Sequence, residues 1–167
     1  MNTQQSRQFH PTGITLPLTT EHFRIAERFE QLCPFSEKTQ LIRHNTLAVC
    51  AVNAYLQLME IPTDLAGSDS WNPLMQMMGN VADLKLPGLS ALSCRPLSHT
   101  RDQNNNACVV PPEAWQDRSG YVAVEINEAD SQATLIGFTA AVGEQEQVPL
   151  AQFQPMETLI DHIHYLR

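Results

Sequence analysis

The chain has 167 residues, 43% hydrophobic and 17% charged, with ten basic against eighteen acidic residues and a formal net charge of −8. That is enough for one domain with a dry core and too hydrophobic for a disordered chain. No apolar run reaches the roughly 18–20 residues that cross a bilayer, and Met1–Gln8 lacks the apolar stretch of a secretory signal, so a cytoplasmic globular protein is expected.

Residues 1–18, with Pro11, Gly13 and Pro17, read as a flexible lead-in or, over Gly13–Leu16, as an edge strand. Residues 19–167 read as a single domain. Thr19 and Thr20 are good helix caps, and Glu21 suits the positive end of a helix. Ile25, Ala26, Phe29, Leu32 and Cys33 then form one apolar stripe, which Pro34 ends. Ser36 caps a second helix expected to run to about Met59. From Leu47 to Leu58 this helix is apolar nearly all round, interrupted by Asn53 and Gln57. Such a helix belongs in the middle of a domain.

An irregular stretch follows, with the run Ser68-Asp69-Ser70-Trp71-Asn72-Pro73. Asn72 before Pro73 predicts a helix start and a short helix over Leu74–Met78. Val81, Leu84 and Leu86 suggest a strand ending at Pro87-Gly88, and Leu89–Leu97 a second extended run. Residues 98–106 read as an exposed loop. Ala107–Val110 predicts a short strand, and Glu113–Gln116 one helical turn presenting Trp115. Alternation over Tyr121–Asn127 and again over Ala133–Ala140 predicts a hairpin, the clearest in the chain. Val148–Leu150 suggests a further short strand. Met156, Leu159, Ile160 and Ile163 share one face of a last helix near Pro155–His164. Helices first, then mostly antiparallel strands, then a helix make an α+β fold. Its expected form is a buried N-terminal helix packed on a small antiparallel sheet, with flanking helices over 20–33 and 155–164.

The charge is lopsided. Residues 1–101 hold eight basic and eight acidic residues, whereas 102–167 hold Arg118 and Arg167 against ten acids. An acidic C-terminal half disfavours nucleic acid, whose binding rests on Lys and Arg, and attracts a basic protein. It equally serves to keep a domain in solution. The four cysteines, Cys33, Cys50, Cys94 and Cys108, form no CxxC pair. Cys94, His99 and Cys108, with His162 and His164, are the one metal-like grouping. The five-residue step from Cys94 to His99 and the intervening Pro96 argue against a zinc site, and no metal or cofactor is expected.

No GxSxG elbow and no phosphate-binding glycine loop is present. No catalytic residue is therefore proposed, and the residues alone do not name a reaction. Trp71 and Trp115, the two tryptophans, suit either an interface anchor or a plug at the edge of the core, and the plug is favoured. Short polar residues such as Ser68, Asp69 and Ser70 ordinarily hold a loop through its backbone.

Several blocks taken together resemble a known family. They are Asn45-Thr46-Leu47-Ala48-Val49, Ala51-Val52-Asn53-Ala54-Tyr55-Leu56, Ser68–Pro73, Ala82-Asp83-Leu84, Val110–Trp115, Asp117-Arg118, Gly120–Val124 and Ala133–Phe138. Their order and spacing are similar to the uncharacterised cyanobacterial DUF1822 family over about Phe23–Leu159. The resemblance implies a cyanobacterial cytosolic protein with no assigned reaction. It also implies a regulatory link, because members lie near genes for sigma factors of RNA polymerase.

Three functional expectations result. The first is a non-enzymatic interaction module that binds a basic protein such as a sigma factor, without nucleic acid or membrane. It would use Glu125, Glu128, Asp130, Glu144 and Glu146, with Trp115 as anchor. The second is a small-molecule-binding domain or enzyme using the loop of Asp69, Trp71 and Asn72. The third is an architectural subunit of a larger assembly.

Overall fold

The computed structural model describes residues 13–97 and 107–167. In chain order these form β1 (Ile14–Pro17), α1 (Thr20–Leu32), a 3-10 turn (Ser36–Lys38), α2 (Thr39–Leu58), a 3-10 turn (Asp69–Trp71) and α3 (Pro73–Met78). Next come β2 (Asp83–Leu84), β3 (Ala91–Pro96), β4 (Ala107–Val109), a 3-10 turn (Pro112–Ala114), β5 (Arg118–Asn127) and β6 (Gln132–Thr139). β7 (Gln147–Pro149), a 3-10 turn (Leu150–Gln152) and α4 (Glu157–Leu166) complete the chain. The class is α+β. No helix among the described residues is long and apolar enough to cross a membrane.

Every α2 residue from Asn45 to Asn53 is buried, so this stretch has no solvent face. Its polar members are matched. The Thr46 hydroxyl donates to the Ile42 carbonyl at 2.7 Å, Asn45 Nδ2 donates to Asn80 Oδ1 at 2.8 Å, and Asn53 Oδ1 accepts from the Thr63 hydroxyl at 2.6 Å. A buried polar group without such a partner costs about 1–3 kcal/mol. Beside α2, α1 opens on a reciprocal cap: the His22 amide donates to Thr19 Oγ1, and the Thr19 amide donates to His22 Nδ1.

The main sheet has strand order β1-β6-β5-β3-β2. It is mixed rather than antiparallel as expected, because β3 and β5 run parallel. Strands following each other in a hairpin are antiparallel, but here the chain leaves β3, forms β4 elsewhere and re-enters as β5. Two short runs expected in one sheet, β4 and β7, pair with each other in a second sheet. Gly13–Leu16 follows the edge-strand alternative, with β1 paired to β6.

The two faces of the main sheet carry separate cores. Leu92, Cys94, Val122, Val124, Ala133 and Leu135 pack with α2, while α4 adds Met156, Leu159 and Ile163. Tyr121 and Ala123 point the other way and pack with Cys108, Val110, Val148, Leu150 and Phe153 from the β4–β7 side. Strand alternation explains the division. It also sets Ser93 and Arg95 of β3 opposite Leu92 and Cys94, and at that edge the Arg95 side chain bonds to Asn80.

Candidate functional site

β2 is only two residues long, so it covers the middle of β3 and leaves the Arg95–Pro96 end uncovered. The first half of α2 passes nearby. Between them lies a cleft of about 550 Å³, lined by Glu37, Gln40, Leu41, His44 and Asn45 of the α2 segment and by Asn80, Arg95, Pro96, Leu97 and Val109. That volume falls within the about 300–1,000 Å³ typical of small-molecule sites.

The wall formed by Asn45, Asn80 and Arg95 is polar, with Asn45 and Arg95 buried and Asn80 half-buried. Asn45 is 3% exposed and Arg95 2% exposed. Arg95 Nε donates to Ser93 Oγ at 2.7 Å, and Nη1 donates to the Asn80 carbonyl at 3.0 Å and to Asn80 Oδ1 at 3.3 Å. The same Oδ1 accepts from Asn45. α2 and β3 are thus cross-linked through Asn80 directly behind the cleft.

A second guanidinium competes for the nearest carboxylate. Arg118 grips Asp83 with Nε to Oδ1 at 3.1 Å and Nη2 to Oδ2 at 3.0 Å, whereas Arg95 Nη2 lies 3.9 Å from Asp83 Oδ1. Burial pulls the Arg95 pKa below its ordinary value, and Asp83 pulls it back upward. At the mouth, His44 Nε2 stands 3.1 Å from Gln40 Nε2 and 3.3 Å from Glu128 Oε2. Glu37 is exposed there.

The thiols near this wall are poor nucleophiles. Burial pushes Cys50 and Cys108 up to about 12, and Cys94 well above its ordinary value. No group of His, Cys, Asp and Glu side chains among the described residues is arranged to hold a metal. His99, one of the metal-like grouping, lies outside the described residues.

The loop of Asp69, Trp71 and Asn72 does not border this cleft. Asp69 is exposed, and Asn72 caps α3 by accepting the Leu74 amide at 3.0 Å. Trp71 is half-buried and meets Phe29 edge to face, with centroids 5.5 Å apart. The neighbouring serines take a role that the sequence did not suggest. Ser70 Oγ accepts the Asp83 amide at 2.7 Å, and Ser68 Oγ accepts the Lys85 amide at 2.8 Å. Two hydroxyls two residues apart thereby close the outer amides of β2, an edge strand that would otherwise invite pairing.

The acidic residues expected to form one surface fall into two groups. Glu128 and Asp130 sit at the turn of the β5–β6 hairpin, and Glu144 and Glu146 beyond its other end. The length of β6 separates them by roughly 25 Å. Glu128 is engaged: Arg43 Nη2 lies 2.6 Å away and also binds into a pair with Glu30 through Nη1 at 3.0 Å. The hydrogen bond from Arg43 holds the Glu128 carboxyl below its usual value. Asp130 closes the turn with Asn127, and Glu125 is exposed on β5. Trp115 is half-buried, with its Nε1–H donating to the Val110 carbonyl at 3.1 Å. The Val110 amide in turn donates to the Glu146 carbonyl at 2.8 Å. Trp115 and Glu146 therefore share one end of the molecule.

Reasoning from sequence missed Arg95, Asn80, Asn45 and Gln40 as site residues. The available signal was a charge inside a strand: in Leu92-Ser93-Cys94-Arg95, strand period sets Arg95 on one face with Ser93, opposite the apolar Leu92 and Cys94.

A family model described as a protein of unknown function, DUF1822, matches residues 16–166. No curated protein and no solved structure gives a significant match.

Proposed function

Since this chain belongs to the DUF1822 family of proteins of unknown function, we propose its role from the site itself: a non-catalytic binding module whose ligand enters the cleft between α2 and β3. The observation that carries this reading is a roughly 550 Å³ cleft whose polar side, buried at Asn45 and Arg95, is oriented by its own hydrogen bonds through Asn80. Such a wall is fixed before a ligand arrives, which reduces the ordering cost of binding. The hydrogen bonds of the described hydroxyls and thiols run to backbone groups, amides, arginine or one another, so no activated nucleophile supports a catalytic reading.

The test is amide shift mapping in a ¹⁵N-labelled sample against a library of small neutral and charged fragments. The amides of Gln40, Leu41, Asn45, Asn80, Arg95 and Val109 should move together and saturate. A library that leaves all of them in place overturns the reading.

The grouping of Trp115 with Glu146 around Val110, next to exposed Glu144, favours a second reading: the β4–β7 end docks a basic protein, in line with a regulatory partner such as a sigma factor. Capture of such a partner should weaken as salt rises, and capture indifferent to salt would count against electrostatic attraction. Both readings leave the domain a binder.

A further inference from the structure

Arg95, in the wall of the cleft, shares its one nearby carboxylate, Asp83, with a second guanidinium, Arg118, and neither of those two lines the cleft. Asp83, Arg95 and Arg118 are packed together with side chains 6%, 2% and 17% exposed. Two guanidinium groups thus face one carboxylate, and Arg118 occupies both of its oxygens. The hydrogen bonds of Arg95 among the described residues use Nε and Nη1, leaving Nη2 with Asp83 at 3.9 Å. The nearby thiols Cys94 and Cys108 are held in their neutral form and supply no compensating charge. Among the described residues the only acid lining the cleft is Glu37, which stands exposed on the α2 segment, where water screens it. A buried charge without a full partner is costly, and a bound anion offsets that cost. Leu41, Pro96, Leu97 and Val109 give the rest of the cleft an apolar lining.

We infer that the cleft takes an organic oxyanion, a carboxylate or phosphomonoester on an apolar body, with its acid group accepting from Arg95 Nη2 and its body against Leu41, Leu97 and Val109. The inference rests on the binding-module reading and names the class of its ligand. A guanidinium N–H suits an oxyanion, since a charge-assisted hydrogen bond is shorter and stronger than a neutral one. Asn45 and Asn80 hold it in place through the shared Oδ1.

Isothermal titration and amide shift mapping with hexanoate, hexyl phosphate and hexanol test this. At least one acid should bind tenfold or more tightly than hexanol while moving the amides of Asn45, Asn80 and Arg95, and the two acids distinguish carboxylate from phosphate. Arg95→Met should abolish the preference. Should that variant fail to fold, Val109→Trp narrows the cleft while keeping Arg95 in the sequence, and should remove acid binding. Equal binding of hexanol and both acids in the cleft overturns the oxyanion inference and leaves the binding-module reading standing. Acid binding unchanged in folded Arg95→Met or in Val109→Trp overturns the inference as well. Absence of any shift in the cleft with all three probes, and with the fragment library, overturns both.

Discussion

Replacing Asp83 by asparagine removes the one carboxylate that serves a buried guanidinium, Arg95, and a half-buried one, Arg118. The native side chain accepts from Arg118 at 3.1 and 3.0 Å and stands 3.9 Å from Arg95. The substituted amide would keep the shape and lose the charge. Hydrogen bonds to charged groups contribute about 1.5–3 kcal/mol each, and breaking a buried pair by removing one partner costs about 3–5 kcal/mol. Arg118 is partly exposed and can turn toward water, so the lower half of that range is expected, about 3–4 kcal/mol. Against a typical total of about 5–15 kcal/mol this is a large loss. With a urea m-value of about 2 kcal/mol/M, the midpoint should fall by about 1.5–2 M at unchanged m. Arg95→Met should behave differently, because it removes the poorly matched charge and leaves Asp83 with Arg118. Its cost should stay within about 1 kcal/mol, the lost bonds to Ser93 and Asn80 offsetting the relief. The double variant should recover part of the Asp83→Asn loss, a coupling of about 1–3 kcal/mol. An Asp83→Asn midpoint within about 0.5 M of the native one would refute the charge accounting on which the cleft argument rests.

Other consequences concern helices and close contacts. Leu56 is fully buried on α2, and Leu56→Ala should cost about 3–5 kcal/mol by urea unfolding. Gly137→Ala places a Cβ 2.6 Å from the Gln154 carbonyl oxygen, in the backbone bridge that joins Phe138 to Gln154. Backbone cannot swing aside, so a loss of about 1–3 kcal/mol is expected in the same assay. His22 caps α1 through an unprotonated Nδ1, and burial lowers its pKa from 6.5. The unfolded chain then takes up the proton first, so this contribution is complete above pH 6.5 and is lost as the pH falls through the lower folded value. Thermal melts between pH 7.5 and 5 should show the decline. His22→Glu, which restores the Thr-x-x-Glu cap, should make the decline shallower through this window.

The elements were largely legible because their signals are local. Thr19 starts α1 as its cap, Asn72 and Pro73 start α3, and the alternation of Val122, Val124 and Ile126 marks β5. α2 was visible from its all-round apolar composition, although its first turn is 3-10 over Ser36–Lys38. What stayed hidden depends on pairing across long separations. Nothing local states that Ser93 lies beside Tyr121 in a parallel register, or that β4 leaves the main sheet for β7. The cleft was hidden for the same reason. Gln40, Asn80 and Arg95 are far apart in sequence and meet only because β2 stops short. Acid content suggested a continuous surface, but composition carries no information about which residues Arg43 engages or how far a hairpin separates its two ends.

A crystal structure grown with hexyl phosphate, and a parallel one with hexanoate, would show directly where the acid group binds. An acid oxygen is expected about 2.7–3.0 Å from Arg95 Nη2, with the alkyl chain against Leu41 and Val109. An acid group bound away from Arg95, with the guanidinium turned wholly toward Asp83, would contradict it.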